Sequence, residues 1–123
     1  MHYQAKQAID SASVLTKALL RLAQAVQISQ KELAQILGES EASISRLYAG
    51  QRQITPTSKT GELSLLLIRL YRSLNALVGD DAKAQLWLRA DNHYFLEPPI
   101  EHIKHIEGLV QTIRYLDAMR GQS

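Results

Sequence analysis

Apolar residues recur at intervals of three and four along most of this 123-residue chain, which is the spacing of one helix face. The first such stripe comprises Leu15, Ala18, Leu19, Leu22 and Val26. Asp10 or Ser11 is expected to cap this helix, since both residue types favour the N-cap position. Because the later segments repeat the same period, the pattern predicts an all-α fold.

Residues 29–50 contain two short capped segments joined through a glycine, SQKELAQILGESEASISRLYAG. Ser29 and Glu32 have the spacing of a capping box, so a helix should begin there. Gly38 would end that helix in the left-handed conformation, and Ser40 would cap the next one. Two short helices locked at an angle in this way are typical of a helix-turn-helix, which makes double-stranded DNA the first partner to consider.

The outward positions of the second helix are short and polar and end in one arginine, a composition that suits a major groove. Arg46 is the first candidate for a guanine or phosphate contact, and Arg52 with Lys59 is expected against the DNA backbone. Glu39 stands where this motif usually has an aliphatic residue. The predicted DNA-binding residues are Ser29, Gln30, Lys31, Ser40, Glu41, Ala42, Ser43, Ser45, Arg46 and Arg52. Capped helical hairpins also occur in bundles that never contact nucleic acid, and this alternative stays open.

The second half of the chain predicts further helices. Pro56 lies in a connector, after which Ser58 or Thr60 can cap a strongly apolar helix over residues 62–78. Its leucine stripe is wider than one small hairpin would cover, which favours an interface. Gly79 should close this helix, and Asp80 or Asp81 should cap the next.

A final helical region is expected over residues 99–119, with Gly108 allowing a bend or a close helix contact. Residues 120–122 would then form a free tail. The loop ADNHYFLEPPIEHI precedes this region, and its aromatic residues beside two prolines are a candidate recognition surface. The alternative is that Trp87 and Phe95 belong to the core.

Composition and charge narrow the functional classes. With 46% hydrophobic residues the chain can bury one modest core or two small helical subdomains. The absence of cysteine excludes disulfides, thiolate zinc sites and cysteine nucleophiles, and fits a reducing compartment. The N-terminus lacks an apolar core of signal-peptide length, and Arg69 interrupts the most apolar run, so we expect a soluble cytoplasmic protein without a membrane partner. The formal charge is +3 through Lys59 and −1 beyond it. A positive charge on the first half is expected if that half binds the phosphates of DNA.

A metal-dependent enzyme is a further alternative, because Glu101, His102 and His105 lie at spacings that can share a helix face. A lone His-x-x-His lacks the further ligand and base of established zinc motifs. Both histidines are therefore expected to be solvated surface residues. The sequence predicts no catalytic residue, metal site or cofactor.

Four segments carry a resemblance to a known family: SEASISRLYAG, GELSLLLIRLYRSLNALVG, WLRADN and IEGLVQTIRYLDAMRG. In this order and spacing they resemble the Xre/MbcA/ParS family of bacterial antitoxins over about residues 22–121. One departure lies in the loop, where such proteins commonly have a glycine just before the proline. This chain has Glu97 followed by Pro98 and Pro99, so partner specificity can differ there.

The resemblance implies an N-terminal, Xre-like helix-turn-helix bundle over residues 1–59 and a small helical toxin-binding domain over residues 60–123. The first would bind the promoter of its own operon as a homodimer, and the second would bind and block a toxin. The usual toxin carries a RES domain and degrades NAD, so this chain would not be an enzyme. The toxin-binding residues implied are Asn92, Tyr94, Phe95, Pro98, Pro99, Tyr115, Met119 and Arg120.

In the expected mechanism, the last helix with Tyr115, Met119 and Arg120 packs at the mouth of the toxin's active site and excludes the dinucleotide. An arginine near a mobile end suits a site built for pyrophosphate. The alternative is a free-standing repressor that uses the same helix-turn-helix but employs its C-terminal half only for dimerisation. Copurification of a stoichiometric unrelated protein would distinguish the two.

Overall fold

The computed structural model describes residues 2–121, with side chains from residue 11 onward. Within that range all regular secondary structure is helical, which confirms the all-α prediction. The helices are α1 (His2–Ala25), α2 (Gln30–Leu37), α3 (Glu41–Tyr48), α4 (Lys59–Val78), α5 (Asp81–Arg89), α6 (Pro99–His102) and α7 (Ile106–Gly121). None of these described helices is long and apolar enough to cross a membrane.

Helix α4 forms the centre of the fold, because it packs against α1, α2, α5 and α7. Its residues Leu67, Leu70 and Leu74 are almost completely buried in one continuous core that includes both halves of the chain. The wide apolar surface of α4 is therefore largely covered within this chain. Leu65 is an exception, with half of its surface exposed.

The helix ends follow the predicted capping residues. Ser29 and Glu32 form the complete capping box of α2, and Gly38 ends that helix with a φ of 66°. Ser40 caps α3 by accepting the N–H of Ser43, and Ser58 and Asp80 cap α4 and α5 in the same way. Each cap satisfies backbone N–H groups that have no partner inside the helix. Local side-chain chemistry thus determines where these four helices begin.

Two helix boundaries differ from the sequence predictions. Helix α1 begins at His2, so residues 10 and 11 lie inside it and do not form its cap; the Asp10 side chain lies outside the described ones. The region 99–119 is two helices, because the chain turns between His102 and Ile106.

Gly108 provides the close contact that the sequence suggested, but it does not lie at the break. A Cβ at this position would clash with the carbonyl oxygen of His102 at the end of α6. The glycine thereby allows α7 to pack directly against the backbone of the preceding turn.

Candidate functional site

Helices α2 and α3 form the helix-turn-helix pair, and their inner faces are fully packed. Ile44 and Leu47 of α3 are buried together with Leu33 and Leu37 of α2 in the core. On the outer side, Ser45 Oγ donates a hydrogen bond to Gln30 Oε1 at 3.3 Å. The angle between the two helices is therefore fixed by the buried apolar residues on their inner faces and by the Ser45–Gln30 hydrogen bond on their outer side.

The outer face of α3 presents the short side chains that the sequence analysis assigned to DNA. Glu41, Ala42, Ser45 and Arg46 are exposed, and Ser43 is half-buried. One guanidinium nitrogen of Arg46 donates to Ser43 Oγ at 3.1 Å. These side chains share one solvent-facing surface with Ser29, Gln30 and Lys31 at the exposed start of α2.

Glu39 replaces an aliphatic residue of the motif, and it takes part in a hydrogen-bond network instead. Its Oε1 accepts from Arg52 and from the Thr60 hydroxyl, each at 2.7 Å. The hydrogen bond from Thr60, together with the positive charge of Arg52, holds the pKa of Glu39 below its usual range. The other terminal nitrogen of Arg52, Nη1, is buried and has no hydrogen-bond partner among the described residues. Arg52, placed on the DNA backbone from the sequence, thus neutralises Glu39 in this structure.

A second arginine, Arg89 of α5, connects the C-terminal half to the start of α2. Its guanidinium forms a bidentate ion pair with the carboxylate of Glu32, the capping-box residue, and donates to the carbonyl oxygen of Gln27 at 2.8 Å. The pKa of Glu32 is lowered to about 2, chiefly by the hydrogen bond from Arg89. This contact of Arg89 could not be predicted from the sequence, because nothing along the chain relates it to a residue 57 positions away.

The loop between α5 and α6 is ordered by Asn92. Its side-chain oxygen accepts the backbone N–H groups of Tyr94 at 2.9 Å and Phe95 at 3.1 Å. Phe95 is buried and stacks on the ring of His102, with centroids 4.5 Å apart, so it agrees with the core alternative. Tyr94 is 71% exposed, although the edge of its ring packs against Phe95 with centroids 5.4 Å apart. Asn92 and Phe95 therefore support the loop, while Tyr94 is largely exposed to solvent.

An open groove of about 680 Å³ lies between this loop and α7. Tyr115 and Met119, one helical turn apart, line it, and Tyr115 packs on Tyr94 with ring centroids 5.0 Å apart. Neither predicted proline is among the residues that line the groove: Pro98 is half-buried, and Pro99 is buried at the start of α6. Of the predicted toxin-binding residues, the structure thus brings Tyr94, Phe95, Tyr115 and Met119 together in one groove.

His102 is not the solvated residue expected from the sequence. Its Nδ1 lies 2.7 Å from Glu97 Oε2, and its Nε2 lies 2.8 Å from Gln111 Oε1. Glu97 therefore connects the loop to α6 through His102. His105 is exposed, and Glu101 pairs with Lys104 instead. In the described part of the chain, no three His, Cys, Asp or Glu side chains are placed to hold a metal ion.

Arg120 and Gly121 belong to α7 and do not form the free tail expected from the sequence. The third residue of the predicted tail, Gln122, lies outside the described part of the chain. Arg120 donates to the Ser73 hydroxyl at 3.0 Å, and Ser73 donates to Asp117 at 2.8 Å. Arg120 therefore lies toward α4, on a different face of α7 from Tyr115 and Met119.

Leu96 is a candidate contact that the sequence analysis missed. It is 89% exposed at the tip of the loop and has a φ of 62°, a conformation that side chains other than glycine rarely adopt. Its N–H donates to the carbonyl of Asn92 at 2.8 Å, which holds the turn. No sequence signal marks it, since leucine is not a residue that favours positive φ.

Two family models match the chain and together cover most of it. Residues 7–69 match the antitoxin Xre-like helix-turn-helix domain, and residues 73–121 match the antitoxin Xre/MbcA/ParS C-terminal toxin-binding domain. No curated protein matches the chain significantly. The first match includes α2 and α3 with their exposed face, and the second includes the groove beside α7. The chain therefore belongs to the Xre/MbcA/ParS family of antitoxins and combines a DNA-binding helix-turn-helix with the toxin-binding domain of a toxin-antitoxin system.

Proposed function

We propose that this antitoxin neutralises a NAD-degrading toxin with a RES domain by covering the mouth of its active site, and that it represses its own operon by binding promoter DNA. The observation that carries the proposal is the open aromatic groove beside α7, which lies within the segment matching a toxin-binding domain. We assign DNA binding to residues 1–59 and toxin binding to residues 60–123. Both activities would take place in the cytoplasm, and this chain itself would not be an enzyme.

The groove has the properties of a preorganised binding surface. The hydrogen bonds of Asn92 and the ring packing of Phe95 order the loop before any partner arrives, which lowers the entropy lost on binding. The exposed Tyr94 and Met119 and the half-buried Tyr115 supply aromatic and apolar surface of the kind that dominates protein interfaces. A toxin segment seated here would place the end of α7 close to the toxin's active site.

The end of α7 would exclude the dinucleotide. In this proposal Arg120 leaves Ser73 when the toxin binds, and its guanidinium occupies the site of the pyrophosphate. Deleting residues 120–123 should then restore toxin activity while the complex still forms. Deleting only residues 122–123 is the matched control, because it keeps Arg120. Full neutralisation by the longer deletion would exclude this role for Arg120.

Promoter recognition would use two copies of the chain. A homodimer on a near-palindromic site places its half-sites about one helical turn apart, or a multiple of it. Val14 and Leu65, 66% and 50% exposed, line a second groove between α1, α4 and α7 that a second copy would cover. Light scattering measures the mass of the purified chain in solution. The parent chain should have the mass of a dimer, and Leu65→Glu should have the mass of a monomer.

The decisive experiment isolates the chain with its natural partner. The tagged antitoxin is purified from its host, the copurifying protein is separated by denaturation and refolded, and its NAD consumption is measured with and without the antitoxin. A stoichiometric partner that consumes NAD only when freed supports the proposal. If no partner copurifies, the chain acts as a free-standing repressor whose C-terminal half serves dimerisation.

A further inference from the structure

Arg89 lies in the toxin-binding half, yet its guanidinium forms hydrogen bonds with the DNA-binding half. Its guanidinium holds both carboxylate oxygens of Glu32 and the carbonyl oxygen of Gln27. One turn earlier on α5, Gln85 Nε2 donates to the side-chain oxygen of Gln27 at 3.0 Å. Two side chains of α5 therefore hold the turn that leads into α2.

This turn needs support, because its backbone is strained. Gln27 has a φ of 57°, in the left-handed region that glycine and asparagine favour. Directly after it, Ile28 is buried and Ser29 begins the capping box of α2. A shift of Gln27 would therefore displace the first turn of α2, where the proposed DNA contacts of Ser29, Gln30 and Lys31 lie.

Charge gives Arg89 a second role at the same place. Glu32 lies in the first turn of α2, and its carboxylate would repel the phosphates that this end of the helix is proposed to approach. The bidentate pair cancels that charge, and the side chain of Glu32 is only 17% exposed beneath it. Glu39, beyond the C-terminal end of α2, is paired with Arg52 through a single hydrogen bond. The acidic groups at the two ends of α2, Glu32 in its first turn and Glu39 just after its last residue, are thus each paired with an arginine from outside the helix pair.

We propose that Arg89 is a positioning residue for DNA binding: by neutralising Glu32 and fixing the turn at Gln27, it makes the toxin-binding half part of the DNA-binding unit. This inference rests on the proposed promoter binding. It assigns Arg89 no base contact, so the part of its effect that comes from neutralising Glu32 should disappear when the Glu32 charge is removed. A direct phosphate contact by Arg89 would not depend on that charge.

The test is a double-mutant cycle with Arg89→Gln, Glu32→Gln and the double variant. Glutamine at position 32 keeps the capping box, since glutamine serves there as glutamate does. Affinity is measured for a duplex of the chain's own promoter region and for a random-sequence duplex of equal length. Lys83→Gln is the control, because it removes the same charge from an exposed position of the same helix. Circular dichroism and thermal unfolding establish that each variant is folded.

Arg89→Gln should weaken promoter binding about tenfold, as expected for one uncompensated like charge at an interface. The double variant should recover part of this loss, because it removes the uncompensated Glu32 charge but still lacks the hydrogen bond to the Gln27 carbonyl, and Lys83→Gln should bind as the parent chain does. Unchanged affinity of Arg89→Gln would overturn the inference, and so would a double variant as weak as Arg89→Gln alone. If the parent chain binds neither duplex, the proposed promoter binding fails and the inference fails with it.

Discussion

The hydroxyl of Thr16 accepts a hydrogen bond from the backbone N–H of Ile54 at 2.9 Å, which joins α1 to the connector that follows the helix-turn-helix. The same hydroxyl donates to the carbonyl of Ala12 at 2.7 Å, so its proton and a lone pair are both used. Both residues are buried, and the N–H of Ile54 has no access to water as a substitute. This one side chain therefore fixes the path of the connector against the first helix.

Replacing Thr16 with valine should leave the Ile54 N–H without an acceptor and lower the free energy of unfolding by about 1–3 kcal/mol. Thr16→Ser keeps the hydroxyl and loses only a methyl group, about 1 kcal/mol. Amide hydrogen exchange distinguishes the two effects: the Ile54 amide should stay protected in the serine variant and exchange faster in the valine variant. Equal protection in both variants would show that another group satisfies this N–H.

The loop tip provides a second prediction, because Leu96 has a φ of 62° and is 89% exposed. Leu96→Gly should raise the free energy of unfolding by about 0.5–1 kcal/mol, since glycine adopts this conformation without strain and little packing is lost. Leu86→Gly, at a similarly exposed position inside α5, should lower it by about 1 kcal/mol. Urea denaturation measures both, and a loss of stability in both variants would mean that Leu96 is not strained.

The sequence was sufficient for the features that depend on local chemistry. Ser29, Ser40 and Asp80 cap the helices as predicted, because a cap needs only residues within three positions of one another. The helix-turn-helix and the toxin-binding segment were recognisable for the same reason, since their motifs are continuous in the chain.

The missed features depend on contacts between distant segments. Arg89 and Glu32 are 57 positions apart, and Arg69 and Asp117 are 48 apart, so no periodicity relates them. The break before α7 was missed because neither proline nor glycine marks it. It is Gly108, inside α7, that lets this helix contact the end of α6 closely. Tertiary packing therefore determined these features, and the local sequence could not reveal them.

The pair of Arg89 and Glu32 should also make stability depend on pH. The pKa of Glu32 falls from 4.5 to about 2 in the folded chain, so the folded state binds the proton less well than the unfolded state. The contribution of ionised Glu32 to the free energy of unfolding is complete above about pH 4.5 and is lost as the pH falls toward 2. We expect about 1 kcal/mol, because solvent screens this partly exposed pair. Unfolding curves between pH 6 and pH 2 should show that Glu32→Gln loses less stability than the parent chain does. Equal losses of stability in the two proteins would contradict the lowered pKa of Glu32.

Arg46 tests how the exposed face of α3 reads DNA. Its guanidinium donates to the Ser43 hydroxyl at an exposed position, so it can turn toward a groove at little cost. If it contacts a guanine, Arg46→Ala should weaken promoter binding by about 1–3 kcal/mol and leave binding to a random-sequence duplex nearly unchanged. If it contacts a phosphate, both duplexes should lose affinity equally, and the dependence on salt should fall by about one ion. Arg114→Ala, which removes the same charge from the groove beside α7, is the control and should bind DNA as the parent chain does. An Arg46→Ala variant with unchanged affinity for both duplexes would place the DNA-reading residues elsewhere on the helix pair.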